Sequence, residues 1–163
     1  SEDVPSELVT LHALKFFIDH GETMPEFAVT LTPATPFTSA ESLDEAFKLI
    51  CSNSDWDGVT AVRRAKEHPE WMIVLDESGH KAKTLLGNPL DGEFNVSQNL
   101  KNHYYPTGAF WINRVDHFIK YPSLYGKNWG AVVMDIDEAV DIDWPDDIEE
   151  AETLIKRRKG IIR

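Results

Sequence analysis

Apolar residues recur at helical spacing in two stretches of the chain. In "PSELVTLHALKFFIDHG" (5–21), Leu8, Leu11, Leu14, Phe17 and Ile18 make one stripe, which predicts a helix. Pro5 suits its first turn and Gly21 its end. In "TSAESLDEAFKLI" (38–50), Leu43, Ala46, Phe47 and Ile50 repeat the pattern behind an expected capping box of Thr38 and Glu41. A third helix is expected after Pro145, where "DDIEEAETLIKRRKG" places acids at its start and bases at its end, both complementing the macrodipole.

Shorter apolar runs predict strands. "EFAVTL" (26–31) reads as a buried strand, and "VTAV" (59–62), "AFWIN" (109–113) and "GAVVM" (130–134) as three more. Strand, helix and strand between 26 and 62 form a βαβ unit, for which parallel strands and a right-handed crossover are expected. "EWMIVLDESGHKAKTLL" differs: two extended segments flank "DESG", the pattern of a hairpin projecting from the main sheet. Residues 87–108 form a long irregular stretch, and such loops in compact domains are often functional. The whole reads as an α/β domain, in three layers around a mostly parallel sheet. It opens on a helix and contains neither GxGxxG nor GxxxxGK[ST], so the phosphate-cradling turn of a doubly wound nucleotide fold is missing.

The 163 residues suffice for one domain with a real core, and 42% hydrophobic with 27% charged residues is ordinary for a globular protein. A net charge of −12 argues against a broad footprint on nucleic acid or anionic membrane. No apolar run approaches the roughly 20 residues of a membrane span, and no signal peptide is expected, so the cytoplasm is the expected compartment. Cys51, the only cysteine, rules out an intrachain disulfide and reads as a buried helical thiol. The six histidines show no HxxxH spacing, so no zinc site is expected, and His68 in "EHPEWM" reads as a structural hydrogen bonder.

The chemistry-bearing pattern is "AVDIDWPDD" (139–147). On a strand, Asp141 and Asp143 share a face, where their carboxylates repel unless a cation lies between them. Taken alone, the pair is either a solvated edge or a site for a hard divalent ion, Mg²⁺ or Mn²⁺. Asp135 and Asp137 repeat the spacing in "MDID". Pro145 is expected in the first turn of the last helix, with Asp146 and Asp147 left in solvent.

Taken in order, these segments resemble the acylneuraminate cytidylyltransferases, the CMP-nonulosonate synthetase family. "LTPATPF" is similar to its Leu-Gln-Pro-Thr-Ser-Pro-Leu segment and "EHPEWM" to its His-Pro segment before a hairpin. "SQNL" with "YPTGAFWI" resembles Arg-Gln-(Asp or Gln)-Leu-Pro with Pro-Asn-Gly-Ala-Ile-Tyr-Ile, and "VDIDWPDDIEEAE" its Val-Asp-Ile-Asp-Thr before a helix. The resemblance covers nearly all of the chain. It implies a nucleotidyltransferase-like fold over 1–163, with 71–86 as a dimerisation hairpin and a homodimer as the assembly. It also implies CTP and a nonulosonic acid as substrates, with transfer of CMP to the anomeric hydroxyl and release of pyrophosphate. Asp141 and Asp143 become the metal-binding and catalytic pair, holding Mg²⁺ or Mn²⁺, and Thr32, Thr35, Gln98, Thr107, Gly108 and Trp111 become substrate contacts.

The chain departs from the family pattern at several of these places. The family's N-terminal strand, its Arg-x-Gly-Ser-Lys-Gly phosphate loop and the helix after it have no counterpart, so the resemblance is to a C-terminal portion, with an N-terminal segment as a possible missing partner. Thr32 replaces a glutamine, Thr38 and Ser97 replace arginines, Thr107 an asparagine and Trp111 a tyrosine. Arg63, Arg64, Lys66 and Lys101 are candidate substitutes for the lost positive charge. Two readings follow: a portion of a cytidylyltransferase, inactive as this chain alone for want of the phosphate loop, or a catalytically inactive remnant that serves as a dimerising or ligand-binding module.

Overall fold

The computed structural model of the chain describes residues 4–161. Pro5 stands at the N-cap of α1 (Ser6–Asp19), as its fixed φ allows. Of the predicted stripe only Leu14 is buried; Leu8, Phe17 and Ile18 are exposed. The apolar contact of this helix is narrow, made through Leu14 and Leu11, beside one hydroxyl contact of Thr10 with Thr30 at 2.9 Å.

β1 (Phe27–Leu31) follows, and α2 (Ala40–Ser52) begins one residue later than its expected box. The cap is Ser39, whose Oγ accepts the Ser42 N–H at 3.1 Å. Thr38 instead donates its hydroxyl to the Thr35 carbonyl at 3.0 Å, which removes it from the capping role. Ala46 and Ile50 are fully buried, whereas Cys51, one residue further around the helix, is exposed. The expected buried thiol is therefore corrected: 100° of helical rotation takes it off the core stripe.

β2 (Gly58–Arg64), β3 (Ile73–Leu75), β4 (Ala82–Thr84), β5 (Tyr104–Arg114), α3 (Val115–Lys120), β6 (Trp129–Val133) and α4 (Pro145–Arg158) complete the elements. Four strands form one sheet in the order β1-β5-β2-β6. β1 pairs antiparallel with β5, and β2 pairs parallel with β6. Contacts between β5 and β2 step from Arg114 N–H on the Asp57 carbonyl to Thr107 Oγ1 on the Ala61 carbonyl, so these two strands also run oppositely. The sheet is thus mixed, correcting the mostly parallel expectation. The two ends of the βαβ unit do point the same way, but β5 lies between them. β1 is consequently a half-exposed edge strand, not a buried one.

Side chains of β5 alternate between two cores. Phe110 and Ile112 join Ala46, Ile50, Val59 and Val132 on the α2 side. Trp111 joins Leu14, Val115, Phe118 and Leu124 on the side of α1 and α3. Helices therefore cover both faces of the sheet, and burial of these apolar side chains is what holds the layers.

Residues Arg64–Tyr105 cluster as a compact unit of their own, distinct from the unit built by the rest of the chain. Within it the expected hairpin forms, β3 pairing antiparallel with β4 in the register Ile73↔Thr84, Val74↔Lys83 and Leu75↔Ala82. Its turn is tied by Asp76, whose Oδ1 accepts the Ser78 N–H at 3.1 Å. Short 3₁₀ turns at Pro69–Trp71, Gly92–Asn95 and Ser97–Asn99 supply most of the remaining regularity. Among the described residues no helix is long and apolar enough to cross a membrane.

Candidate functional site

Beyond β6 the chain leaves the sheet and crosses, without strand pairing, to α4. Asp141 and Asp143 lie on this extended crossing, not on a strand. The segment is nonetheless anchored: Ile142 N–H donates to the Ala34 carbonyl at 2.9 Å, joining it to the loop after β1. Pro145 occupies the first turn of α4, and Trp144 stands at its N-cap. Asp147, three residues beyond that cap, accepts the N–H groups of Asp143 and Trp144 on Oδ2, at 2.9 and 2.7 Å. The expected solvent role of Asp147 is corrected; it fixes the backbone that carries Asp143.

Asp141, Asp143 and Asp147 line one cavity of about 340 Å³ together with Arg63, Thr107 and Glu150. A neighbouring cavity of about 550 Å³ shares Ile136, Val140 and Glu150 with it. The aspartate pair is therefore in a cleft, though not the largest. Val140 lines the cleft as well, against the strict alternation expected of a strand. Burial first, then the negative charges of Asp143 and Asp147, push the Asp141 carboxyl above its ordinary range, with only the Ile142 N–H opposing them. A carboxylate held among like charges with so little donor support gains most from a cation.

Gly108 adjoins this carboxylate. Its φ is +71°, and a Cβ there would stand 3.6 Å from Asp141 Oδ2. The positive φ makes glycine the residue suited to this point of β5. Thr107 is buried and its hydroxyl is engaged inward, donating to the Ala61 carbonyl at 3.3 Å and accepting the Ala109 N–H at 3.2 Å. It shapes the backbone at Gly108. Thr32 donates its N–H to the Ala109 carbonyl at 3.1 Å, and Thr35, buried, donates its hydroxyl to the Thr32 carbonyl at 3.0 Å. Thr32, Thr35, Thr107, Gly108 and the aspartates are thus linked through one set of backbone contacts.

Trp111 does not line this cavity; it is buried in the core formed with α1 and α3. Gln98 belongs to the Arg64–Tyr105 unit, where it is exposed on a 3₁₀ turn. Neither Asp147, expected in solvent, nor Glu150 was expected at the site from sequence. The available signal for Asp147 was its place three residues after the helix cap, which reads equally as ordinary capping.

No family model matches the chain. Among curated proteins it is 28% identical over 130 residues to the "Post-translational flagellin modification protein B" of Campylobacter coli, covering 80% of this chain and 53% of that protein. It is 30% identical over 158 residues to an N-acylneuraminate cytidylyltransferase of Escherichia coli O18:K1:H7, covering 94% of this chain and 36% of that protein. An N-acylneuraminate cytidylyltransferase of Streptococcus agalactiae serotype V is 28% identical over 134 residues, 82% of this chain and 31% of its own length. The chain spans about half or less of these relatives.

Proposed function

The chain belongs to the acylneuraminate cytidylyltransferase family, and on that footing we propose that its aspartate-lined cavity serves CMP transfer from CTP to a nonulosonic acid. In that reaction the anomeric oxygen attacks the α-phosphorus, the bond to the bridging oxygen of the β-phosphate breaks, and pyrophosphate leaves. The observation that carries the proposal is the convergence of Asp141 and Asp143 on one open cavity, beside the side-chain-free edge of Gly108.

The donor set fits a hard divalent ion. Carboxylate oxygens suit Mg²⁺ or Mn²⁺, and the upward push on Asp141 marks a place where negative charge is short of compensation. Asp141 and Asp143 would hold that ion, which when bound lowers the pKa of the attacking hydroxyl and offsets phosphate charge. The residues of the chain contribute position. Asp147 holds the Asp143 backbone through two N–H bonds, and Ile142 is tied to Ala34. Arg63 lines the same cavity and would offer positive charge to phosphates or a sugar carboxylate held there. We further propose that the protein acts as a homodimer through its hairpin.

The test is Mn²⁺ titration followed by electron paramagnetic resonance, with and without CTP. Binding by the protein alone is expected to be weak, because Mg²⁺-type sites complete their shell with substrate oxygens. CTP is expected to tighten it, and Asp143→Asn and Asp141→Asn to abolish the gain. Unchanged binding in both variants would leave the aspartates as surface charge.

A further inference from the structure

In the Arg64–Tyr105 unit, His68, Glu70 and His103 each place a ligand atom within 4.8 Å of those of the other two. We propose that this trio is a second metal site, for a borderline ion of the zinc class, independent of the aspartate cavity and of the reaction assigned to it.

The backbone builds the trio. His68 precedes proline and is held extended, with φ −85° and ψ 130°, as a residue before proline must be. Pro69 starts the 3₁₀ turn that carries Glu70. The N–H of Ala65 donates to the His103 carbonyl at 2.8 Å, which draws His103, the residue before β5, beside the segment that leads to His68. The Trp71 ring meets the His68 imidazole edge-on at 4.8 Å, and its Nε1 donates to the Phe94 carbonyl at 2.6 Å, so the wall behind His68 is itself fixed.

The spacing suits an ion better than a direct bond. His103 Nε2 and Glu70 Oε1 stand 3.7 Å apart, beyond hydrogen-bond range. Two ligands of one tetrahedral zinc sit about 3.3 Å apart, from Zn–N lengths of 2.0–2.1 Å. Glu70 Oε2 and His103 Nδ1 are, in addition, fully buried without a hydrogen-bond partner. Unsatisfied buried polar atoms are uncommon and costly. Since one imidazole lends one nitrogen to an ion, a metal in this cluster would engage His103 through Nδ1 or through Nε2, and Glu70 through either carboxylate oxygen. Two imidazoles and one carboxylate select zinc, cobalt or nickel over magnesium or calcium. Three protein ligands leave a fourth position for water or an incoming donor. An ion held there would also close the long loop from His68 to His103, clipping together the base of the hairpin-bearing unit.

The test uses the full chain with excess Mg²⁺ present, so that hard oxygen sites are occupied. Zn²⁺ titration by calorimetry is expected to show one saturable equivalent per chain, and Co²⁺ to give the visible absorption of a low-coordinate site. Glu70→Gln, a near-isosteric change, is expected to weaken binding by at least the roughly tenfold that loss of even an outer-shell partner causes. Asp143→Asn is expected to bind Zn²⁺ like wild type. Nitrogen NMR of the wild-type imidazoles gives a readout free of variant folding: of six histidines, His68 and His103 should move on Zn²⁺ addition. Absence of saturable binding, equal binding by Glu70→Gln, loss in Asp143→Asn, or shifts confined to other histidines would each overturn the site.

Discussion

Two aspartates of this chain show how surroundings decide what a carboxylate does. Asp57 is pulled upward by burial, but the N–H groups of Asn128 and Lys127, and then His117, outweigh it and hold its carboxyl below the ordinary range. Its Oδ2 accepts those N–H groups at 2.9 and 2.7 Å, and its Oδ1 lies 3.3 Å from His117 Nε2. Asp141 has the reverse balance, burial and like charges pushing it up. Asp57 is therefore a structural residue that ties the loop before β6 to the start of β2, while Asp141 is left with capacity to spare for a ligand. Because the folded carboxyl of Asp57 titrates below the unfolded value of about 3.9, its stabilisation is complete above that value and is lost as pH falls through the folded one. Asp57→Asn is expected to cost about 1.5–3 kcal/mol at neutral pH, the range for hydrogen bonds to a charged group. Urea unfolding of both proteins between pH 7 and acid should show the gap closing as the wild-type carboxyl protonates; a constant gap would contradict this account.

At the scale of elements, apolar period revealed segments but not their partners. The four strands of the main sheet, the three long helices and the hairpin were legible because apolar residues mark each one in sequence, at helical spacing or as short runs. That β5 sits between β1 and β2 was not legible, because pairing is decided across distant sequence and leaves no mark in either strand alone. β5 also runs from Tyr104 to Arg114, well beyond the apolar core 109–113 that announced it. The crossing that bears Asp141 and Asp143 alternates like a strand yet pairs with none; the Ala34 carbonyl that holds Ile142 lies 108 positions back in sequence, out of reach of local pattern. The aspartates themselves were found through pattern and resemblance, whereas the His68–Glu70–His103 trio was hidden because its third member joins only through the fold. Capping shows the same limit on a finer scale. Thr38 and Glu41 match a capping box, but the helix takes Ser39. Ser39→Ala is expected to lower stability by about 1 kcal/mol, as loss of an N-cap does. Thermal unfolding of Ser39→Ala beside Thr38→Ala should rank Ser39 as the more costly; the reverse order would restore the box read from sequence.

For the molecule as a whole, the largest unexplained feature of the hairpin is its apolar surface. Ile73, Val74 and Leu75 are all exposed, so both faces of β3 meet solvent, and Leu85 and Leu86 beyond β4 are exposed by about half. A strand pair of three residues each cannot bury such side chains within itself. Exposed apolar side chains on so short a strand pair are what an interaction site would supply. A second copy of the same hairpin would be a self-complementary partner, since an isologous contact would bury these residues in both copies. Net charge works against that pairing: each chain carries −12. Raising ionic strength screens the repulsion between copies and leaves apolar burial intact. The expected outcome is therefore a dimer by light scattering at micromolar concentration, strengthened rather than weakened by salt, and dissociated by Leu75→Lys with no loss of unfolding temperature extrapolated to the monomer. A wild-type monomer at high micromolar concentration in both low and high salt would rule out the hairpin as a dimer surface. Weakening by salt would point instead to an interface built on charge.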